Sequence, residues 1–381
     1  MPGLFLWMIF VVTRYLYIMW QYENLHAKYS LEANRASLMQ KEAFPVNEAF
    51  AAYLQQYGRD IELPIRYKDL INYSYAHSLK DKQGKWTHWE NAVYEPGQAE
   101  ELKNTLVKTY CILKKKAVPF DINQYDIERI DFCEYGNSIP FRIKIIKKHR
   151  EGYDFFYVKQ ADASRIYGLE LEHLLTHNPI NFLHHQNTLV EEHIEGIPGD
   201  IFLQQNLLLT TPGKAAVAKA FVQFNESCFV RLLGDMRSYN FVVNPVAVNG
   251  QVQYRFRAID FDQQSYEGKK ILYFPQFYNE NVAYVNLVLQ NLGAEEIERN
   301  RQLEFSAMAA RIIKYRRQLM ELLNSMVHDD ISENYKILLL RNELNEHFNT
   351  GRFSRCKTMG AVVKQQLKQV LQKHVQRAKA R

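Results

Sequence analysis

The chain has 381 residues, which is long enough to bury one large core or two lobes with an appendage. Hydrophobic residues make up 47% and charged residues 24%, which is typical of a globular protein and excludes disorder as the default. The net charge of +6 is too small to indicate a nucleic-acid-binding protein. The four cysteines show neither a CxxC pair nor a zinc-binding spacing, so we expect a reducing, cytoplasmic compartment.

The chain begins with an apolar segment, LFLWMIFVVTRYLYIMW at 4–20. This segment is slightly shorter than the ~20 residues of a spanning helix, and Arg14 interrupts it. It lacks the basic start and the small-residue cleavage site of a secretory signal peptide. Residues 1–22 are therefore predicted to be a membrane anchor or interfacial helix at the inner face of a membrane. The alternatives are a helix buried in the protein or a misassigned start codon.

Residues 23–126 are predicted to be mostly helical, and the pattern assigns them no function. The segments at 43–58 and 98–116 have helical spacing, whereas 72–97 is irregular and rich in turn residues. The second helix ends in three lysines, which are typical of a solvated helix terminus whose dipole favours positive charge.

From residue 127 the hydrophobic pattern changes to the two-residue period of β-strands. Three consecutive strands are predicted, joined by short turns into an antiparallel meander. They lie at 127–135, 138–148 and 153–160.

A helix is predicted after the meander, around 164–177, with Glu170 beside its apolar face and Glu172 directed away from that face. A strand at 187–194 follows, and a turn rich in glycine and proline leads out of it. A long apolar helix is then predicted at 214–231, and it leads directly to Asp235.

Two β-rich segments, 241–248 and 251–259, are joined by Asn249-Gly250. Asn-Gly between apolar segments is the strongest short-range hairpin signal, because a type I′ turn needs positive φ at both central positions. Pro245 cannot donate to a sheet ladder, so we expect an edge position or a bulge there.

The register of this hairpin brings three oxygen-bearing side chains together. It places Asn240 opposite Ile259, next to Asp260, and Asp235 lies five residues before Asn240. Two carboxylates and an amide at one point suit a hard divalent cation, and Mg²⁺ commonly binds together with phosphates.

These motifs resemble the protein-kinase-like superfamily, especially aminoglycoside and choline phosphotransferases and lipopolysaccharide-core sugar kinases. GDMRSYN at 234–240 is similar to the His-Gly-Asp-x-x-x-x-Asn catalytic loop, and IDFD at 259–262 resembles the metal motif of that family. The resemblance implies an α+β fold with two lobes and a helical N-terminal extension. The small antiparallel-sheet lobe would span 127–196 and the large helical lobe 197–381.

The resemblance also implies roles for the three residues at the hairpin. Asp235 would orient the acceptor hydroxyl as the catalytic residue, while Asn240 and Asp260 would hold Mg²⁺.

Five further positions would bind the nucleotide if the resemblance holds. Lys159, at the end of the third strand, would hold the phosphates of ATP, and Glu170 would form the ion pair that positions Lys159. Backbone groups of Glu192 and Ile194 would bond adenine. The turn that contains Gly136 would cover the phosphates.

The remainder of the chain is predicted to be helical, and its last segment is basic. From 351 to 381 there are basic residues and no acidic ones, which is typical of a solvated helix. No base-stacking aromatic residues alternate with this charge, so we expect no nucleic-acid partner. The predicted helices lie at 281–292, 296–327, 331–348 and 358–381.

The sequence therefore predicts an ATP- and Mg²⁺-dependent phosphotransferase that acts on a hydroxyl of a small molecule or a sugar acceptor. Leu233 stands where the family usually has His. The alternative is consequently a catalytically inactive kinase-like protein that binds nucleotide or a partner. A third hypothesis, a membrane-tethered interaction protein, would bind no nucleotide.

Overall fold

A computed structural model of the protein describes residues 41–81, 84–115, 122–133, 138–148, 152–205 and 210–380. The apolar segment at 4–20 lies outside these residues, as does Gly136. The described chain divides into two compact units. The sheet unit comprises Lys41–His173 and Pro179–Ile194, and the helical unit comprises Leu174–Asn178 and the residues from Glu195 onward.

The sheet unit is built on seven antiparallel strands in the order β1-β2-β3-β4-β5-β7-β6. The predicted meander is confirmed as β3, β4 and β5, although β3 ends earlier and β4 begins later than expected. The strands are β1 (Tyr75–Lys80), β2 (Trp86–Val93), β3 (Tyr125–Phe132), β4 (Phe141–Lys147), β5 (Tyr153–Gln160), β6 (Phe182–His185) and β7 (Thr188–Glu192).

The segment between residues 41 and 126 is not the mostly helical region that the sequence predicted. It supplies β1, β2 and the start of β3 to the sheet unit, together with helices α1 (Glu48–Gln56), α2 (Tyr67–Ile71) and α3 (Pro96–Leu113). β1 is exposed or half-buried along its whole length, so its residues show no apolar alternation for a pattern search to find.

The core of the sheet unit lies where α3 packs on the sheet. Leu106 and Tyr110 of α3 are buried in one cluster with Ile143 of β4 and Phe156 and Val158 of β5. The rings of Tyr110 and Phe156 lie 5.8 Å apart. Helix α4 (Ala163–Leu175) follows β5 directly.

The helical unit contains a small antiparallel sheet in the order β10-β9-β8, and helices make up most of its remainder. Its strands are β8 (Ile197–Pro198), β9 (Phe241–Val248) and β10 (Gln251–Ala258). Its helices are α5 (Gly199–Gln205), α6 (Thr211–Arg231), α7 (Val282–Asn291), α8 (Ala294–Lys314), α9 (Arg316–Val327), α10 (Asn334–Phe348) and α11 (Met359–Lys379).

An aromatic cluster joins α6, the hairpin and α7 in the helical unit. The rings of Phe221, Phe224, Phe241, Phe256 and Tyr284 pack at centroid distances of 5.1–5.7 Å. Such burial of large aromatic side chains dominates core energetics, so it fixes the base of the hairpin against α6. The architecture is therefore α+β, with an antiparallel sheet of seven strands and a helical C-terminal part.

The predicted C-terminal helices are found, with one difference. The segment predicted as a single helix at 296–327 is divided at Tyr315 into α8 and α9. Among the helices of the described ranges, none combines the length and the apolar character needed to cross a membrane.

Candidate functional site

The hairpin of β9 and β10 closes as the sequence predicted. Asn249 and Gly250 both have positive φ, 50° and 77°, and Val248 pairs with Gln251. Pro245 lies opposite Tyr254, beyond the two residues of β9 that β8 covers, so the expected edge position is confirmed.

The open end of the hairpin also has the predicted register. Phe241 pairs with Ala258, and the N–H of Ile259 donates to the carbonyl of Asn240 at 3.0 Å. Asn240 and Asp260 therefore leave the hairpin side by side. This positioning is a direct result of the turn chemistry at the far end of the two strands.

Asp235 is held against Asn240 in a loop that follows α6. The side-chain amide of Asn240 donates to the backbone carbonyl of Asp235 at 2.7 Å and to its Oδ2 at 3.2 Å. The N–H of Asp235 donates to the hydroxyl of Tyr278 at 2.9 Å. Asp235 has φ of 55°, a conformation that is sterically disfavoured for a residue with a side chain.

Arg237 is a member of this cluster that sequence reasoning missed. Its Nε donates to Oδ1 of Asp235 at 2.8 Å, and its Nη1 donates to Glu280 at 2.6 Å. The Asp-x-Arg spacing within the loop was a signal that could have been used. Glu280 lies 43 residues further along the chain and gave no local signal.

The carboxyl of Asp235 is shifted toward neutrality. Burial raises its pKa to about 6, and the negative charges of Asp260 and Glu280 act in the same direction. The charge and hydrogen bond of Arg237 oppose this shift and only partly offset it. The effect of Asp260 on this pKa means that the two predicted carboxylates are electrostatic neighbours.

Leu233, the position at which the sequence departs from the kinase-like motif that it resembles, is fully buried. The segment that precedes Asp235 is held by Gln264, whose side-chain amide donates to the carbonyl of Arg231 at 2.6 Å. Leu233 and Gln264 also form an isolated antiparallel bridge. Backbone and amide hydrogen bonds thus hold the segment just before Asp235.

The chain makes a tight turn between the two aspartates of the IDFD motif. Oδ1 of Asp260 accepts a hydrogen bond from the N–H of Asp262 at 3.0 Å. Across the described part of the chain, no group of three or more His, Cys, Asp or Glu side chains is arranged to hold a metal ion.

Lys159 lies in a second cluster, within the sheet unit, and its partner differs from the one predicted. It donates to Glu191 at 2.9 Å, and Nη2 of Arg165 donates to the same carboxylate at 2.8 Å. Glu191 lies opposite Tyr157 across the β5–β7 pair, so its side chain is on the same face of the sheet as that of Lys159. All three charged residues are buried.

The predicted pairing of Glu170 with Lys159 is corrected. Glu170 accepts from Nε of Arg59 at 2.7 Å and from the hydroxyl of Tyr53 at 2.6 Å. Glu172, predicted to point away from the apolar face, is buried as well. A helical projection shows only the residues of α4 itself, whereas these contacts come from α1 and the turn after it.

The predicted adenine contact at the backbone of Glu192 stays a prediction, although one of its two backbone groups is already bonded. The N–H of Glu192 donates to the carbonyl of Asn181 at 3.0 Å, so this backbone donor is already used within the sheet unit. Ile194 is buried and is the last residue of the sheet unit before the chain enters the helical unit.

The sequence matches no protein-family model, and no curated protein is similar to it.

Proposed function

We propose that the protein is an ATP- and Mg²⁺-dependent phosphotransferase with a two-lobed, protein-kinase-like architecture. The observation that carries the proposal is the convergence of Asp235, Asn240 and Asp260 at the open end of one hairpin. The acceptor is a hydroxyl of a small molecule or of a sugar. Phosphoryl transfer requires mainly positioning and charge neutralisation from the protein, and these groups supply both.

Asp235 is the residue that orients the acceptor hydroxyl and accepts its proton. A general base works best with a pKa near the working pH, and the raised pKa of about 6 brings Asp235 close to that condition. Its backbone and Oδ1 are fixed by Tyr278, Arg237 and Asn240. The side chain is thereby held in one orientation before the acceptor arrives.

Asn240 and Asp260 are the residues that would hold Mg²⁺. One amide oxygen and one carboxylate fit a cation that usually takes one or two protein ligands and completes its shell with phosphate oxygens and water. Mg²⁺, when bound, supplies neutralisation of the charge on the transferred phosphoryl group.

Lys159 is the proposed phosphate ligand of the sheet unit. This assignment is supported by the position of the lysine near the end of β5 and by the order of the elements around it. The strands β3, β4 and β5 are followed by α4 and then by β6 and β7. Glu191, rather than Glu170, would orient Lys159. The membrane association suggested by the segment at 4–20 remains part of the proposal, with the protein at the cytoplasmic face.

The test begins with thermal unfolding in the presence and absence of Mg²⁺-ATP. Wild type should be stabilised, and Asp260→Ala should lose most of that stabilisation. ATP consumption with a panel of hydroxyl acceptors should be abolished in Asp235→Ala and retained in Asp330→Ala, a matched control at an exposed aspartate of the helical unit. No thermal shift in wild type would contradict the proposal.

A second candidate, an inactive kinase-like protein, is favoured by one observation. Both carboxylate oxygens of Asp235 already accept hydrogen bonds, from Arg237 and Asn240, and the histidine position is Leu233. This candidate predicts stabilisation by Mg²⁺-ATP with no turnover on any acceptor.

A further inference from the structure

A short segment of the helical unit, Tyr278–Asn281, lies along the loop that carries Asp235. We propose that Arg237 and Glu280 form a positioning pair that, together with this segment, holds Asp235 in its working conformation. The inference rests on the proposed function for its catalytic consequence, but the loop geometry it concerns is independent of that function.

The pair is built from a buried cation between two carboxylates. Arg237 is only 5% exposed, and its guanidinium joins Oδ1 of Asp235 to Glu280 through two different nitrogens. The guanidinium also lies 5.1 Å from the ring centroid of Tyr278. A planar guanidinium with its two edges bound has little freedom to rotate, so it fixes the orientation of the Asp235 carboxylate.

The segment around Glu280 contacts the loop at neighbouring residues as well. The hydroxyl of Tyr278 accepts from the N–H of Asp235 and donates to the carbonyl of Leu272. The amide of Asn281 donates to the carbonyl of Met236 at 2.8 Å. The segment thus bonds three successive loop residues, 235 to 237, through Tyr278, Asn281 and Glu280.

Such fastening is needed because Asp235 has a positive φ of 55°. A non-glycine residue keeps this conformation only when its surroundings over-determine it. Removing the central link, Arg237, should let the loop sample ordinary backbone conformations. Asp235 would then be displaced from the acceptor, and a displacement of about 1 Å typically costs two orders of magnitude in rate.

Arg237 and Glu280 act through Asp235 and are therefore positioning residues. Neither is assigned a contact with the nucleotide or the acceptor. Loss of either should leave most of the stabilisation by Mg²⁺-ATP in place, because the side chains of Asn240 and Asp260, the proposed Mg²⁺ ligands, are still present.

The experiment compares Arg237→Met, Arg237→Lys and Glu280→Gln with wild type in the full chain. Amide hydrogen exchange of the peptide 232–241 reports on the loop, and turnover with Mg²⁺-ATP reports on catalysis. The matched control is Arg301→Met, because Arg301 also joins two carboxylates of the helical unit, Glu226 and Glu298. It should lower stability without altering this loop.

Arg237→Met should raise exchange in the loop by at least about tenfold and reduce turnover about 100-fold. Glu280→Gln should give a smaller change in the same direction. Arg237→Lys should recover part of the loss, since lysine restores the charge but not the two-edged bridge.

The outcomes separate this inference from the proposed function. Unchanged loop exchange in Arg237→Met overturns the inference whether or not the protein has turnover. Looser exchange with undiminished turnover overturns the positioning role. Wild type without turnover overturns the proposed phosphotransferase, and the exchange data alone then decide whether the pair holds the loop.

Discussion

Two carboxylates in this chain each bind an arginine, yet their pKa values are shifted in opposite directions. Burial alone would raise the pKa of Glu191, but the charges and hydrogen bonds of Arg165 and Lys159 outweigh it and lower this pKa to about 2. Burial raises the pKa of Asp235 to about 6, and Arg237 opposes this without reversing it.

The difference comes from how many cations serve each carboxylate. Glu191 is shared by two cations, whereas Arg237 is shared by Asp235 and Glu280, with Asp260 as a further negative neighbour. The first arrangement keeps a carboxylate ionised and contributes stability. In the arrangement around Asp235, ionisation of the carboxylate at neutral pH costs free energy. This is typical of a site that is poised for proton transfer.

The largest expected effect is that of Glu191→Gln in the sheet unit. This change leaves Lys159 and Arg165 buried without the carboxylate they share, and breaking a buried ion pair typically costs about 3–5 kcal/mol. The measurement is the free energy of unfolding in urea at pH 7. As a control, Glu128→Gln removes the partner of Lys144, a carboxylate that is 42% exposed, and should cost less than about 1 kcal/mol.

The pH dependence shows whether charge is the cause of that loss. Because the pKa of Glu191 is lowered in the folded state, its stabilisation is complete above the unfolded value of 4.5 and is lost as the pH falls toward about 2. The difference in the free energy of unfolding between wild type and Glu191→Gln should therefore become smaller below pH 4.5. A constant difference across this range would indicate a packing defect.

The sequence predicted the part of the candidate site that local chemistry determines. Asn249-Gly250 specifies a type I′ turn, and a two-residue turn fixes the register of everything that follows it. Asn240 and Asp260 could therefore be placed together without any tertiary information. The meander of β3, β4 and β5 was predictable for the same reason, since short turns connect alternating segments.

Pairings between distant residues were not predictable. Glu170 meets Arg59 across 111 residues, and Arg237 meets Glu280 across 43. The sequence around each residue does not indicate the distant partner, because a charged side chain on a helix face is compatible with either solvent exposure or a buried ion pair. β1 was not predicted for a related reason. An edge strand with polar residues on both faces lacks the two-residue hydrophobic period that indicates a strand.

The next effect in size is that of Asp235→Asn on stability, and it has the opposite sign. The pKa of Asp235 is raised in the fold, so ionisation at neutral pH costs roughly 1–2 kcal/mol after a discount for its partial exposure. An amide at this position carries no charge and therefore avoids that cost. Asp235→Asn should consequently unfold at a higher temperature than wild type when both are heated at about pH 7.5.

The gain should disappear below about pH 4, where the carboxyl is protonated in both the folded and the unfolded state. Turnover should fall at the same time, so this position would trade stability for activity. A variant less stable than wild type at neutral pH would show that the ion pair with Arg237 outweighs burial.

The smallest expected effect is that of Gly250→Ala, at the end of the hairpin remote from the charges. Gly250 has φ of 77° with no atom within 4 Å of an added Cβ, so the cost is backbone strain alone, about 1 kcal/mol. Because the strands on either side still specify the register, turnover and the pKa of Asp235 should be unchanged.

Gly97→Ala is the matched control, since Gly97 lies in the first turn of α3 with equal space and no positive φ. Alanine at this position should be neutral or slightly stabilising. Loss of activity in Gly250→Ala beyond its loss of stability would mean that the turn, and not only the contacts of Arg237 and Asn240, determines where Asp235 and Asp260 meet.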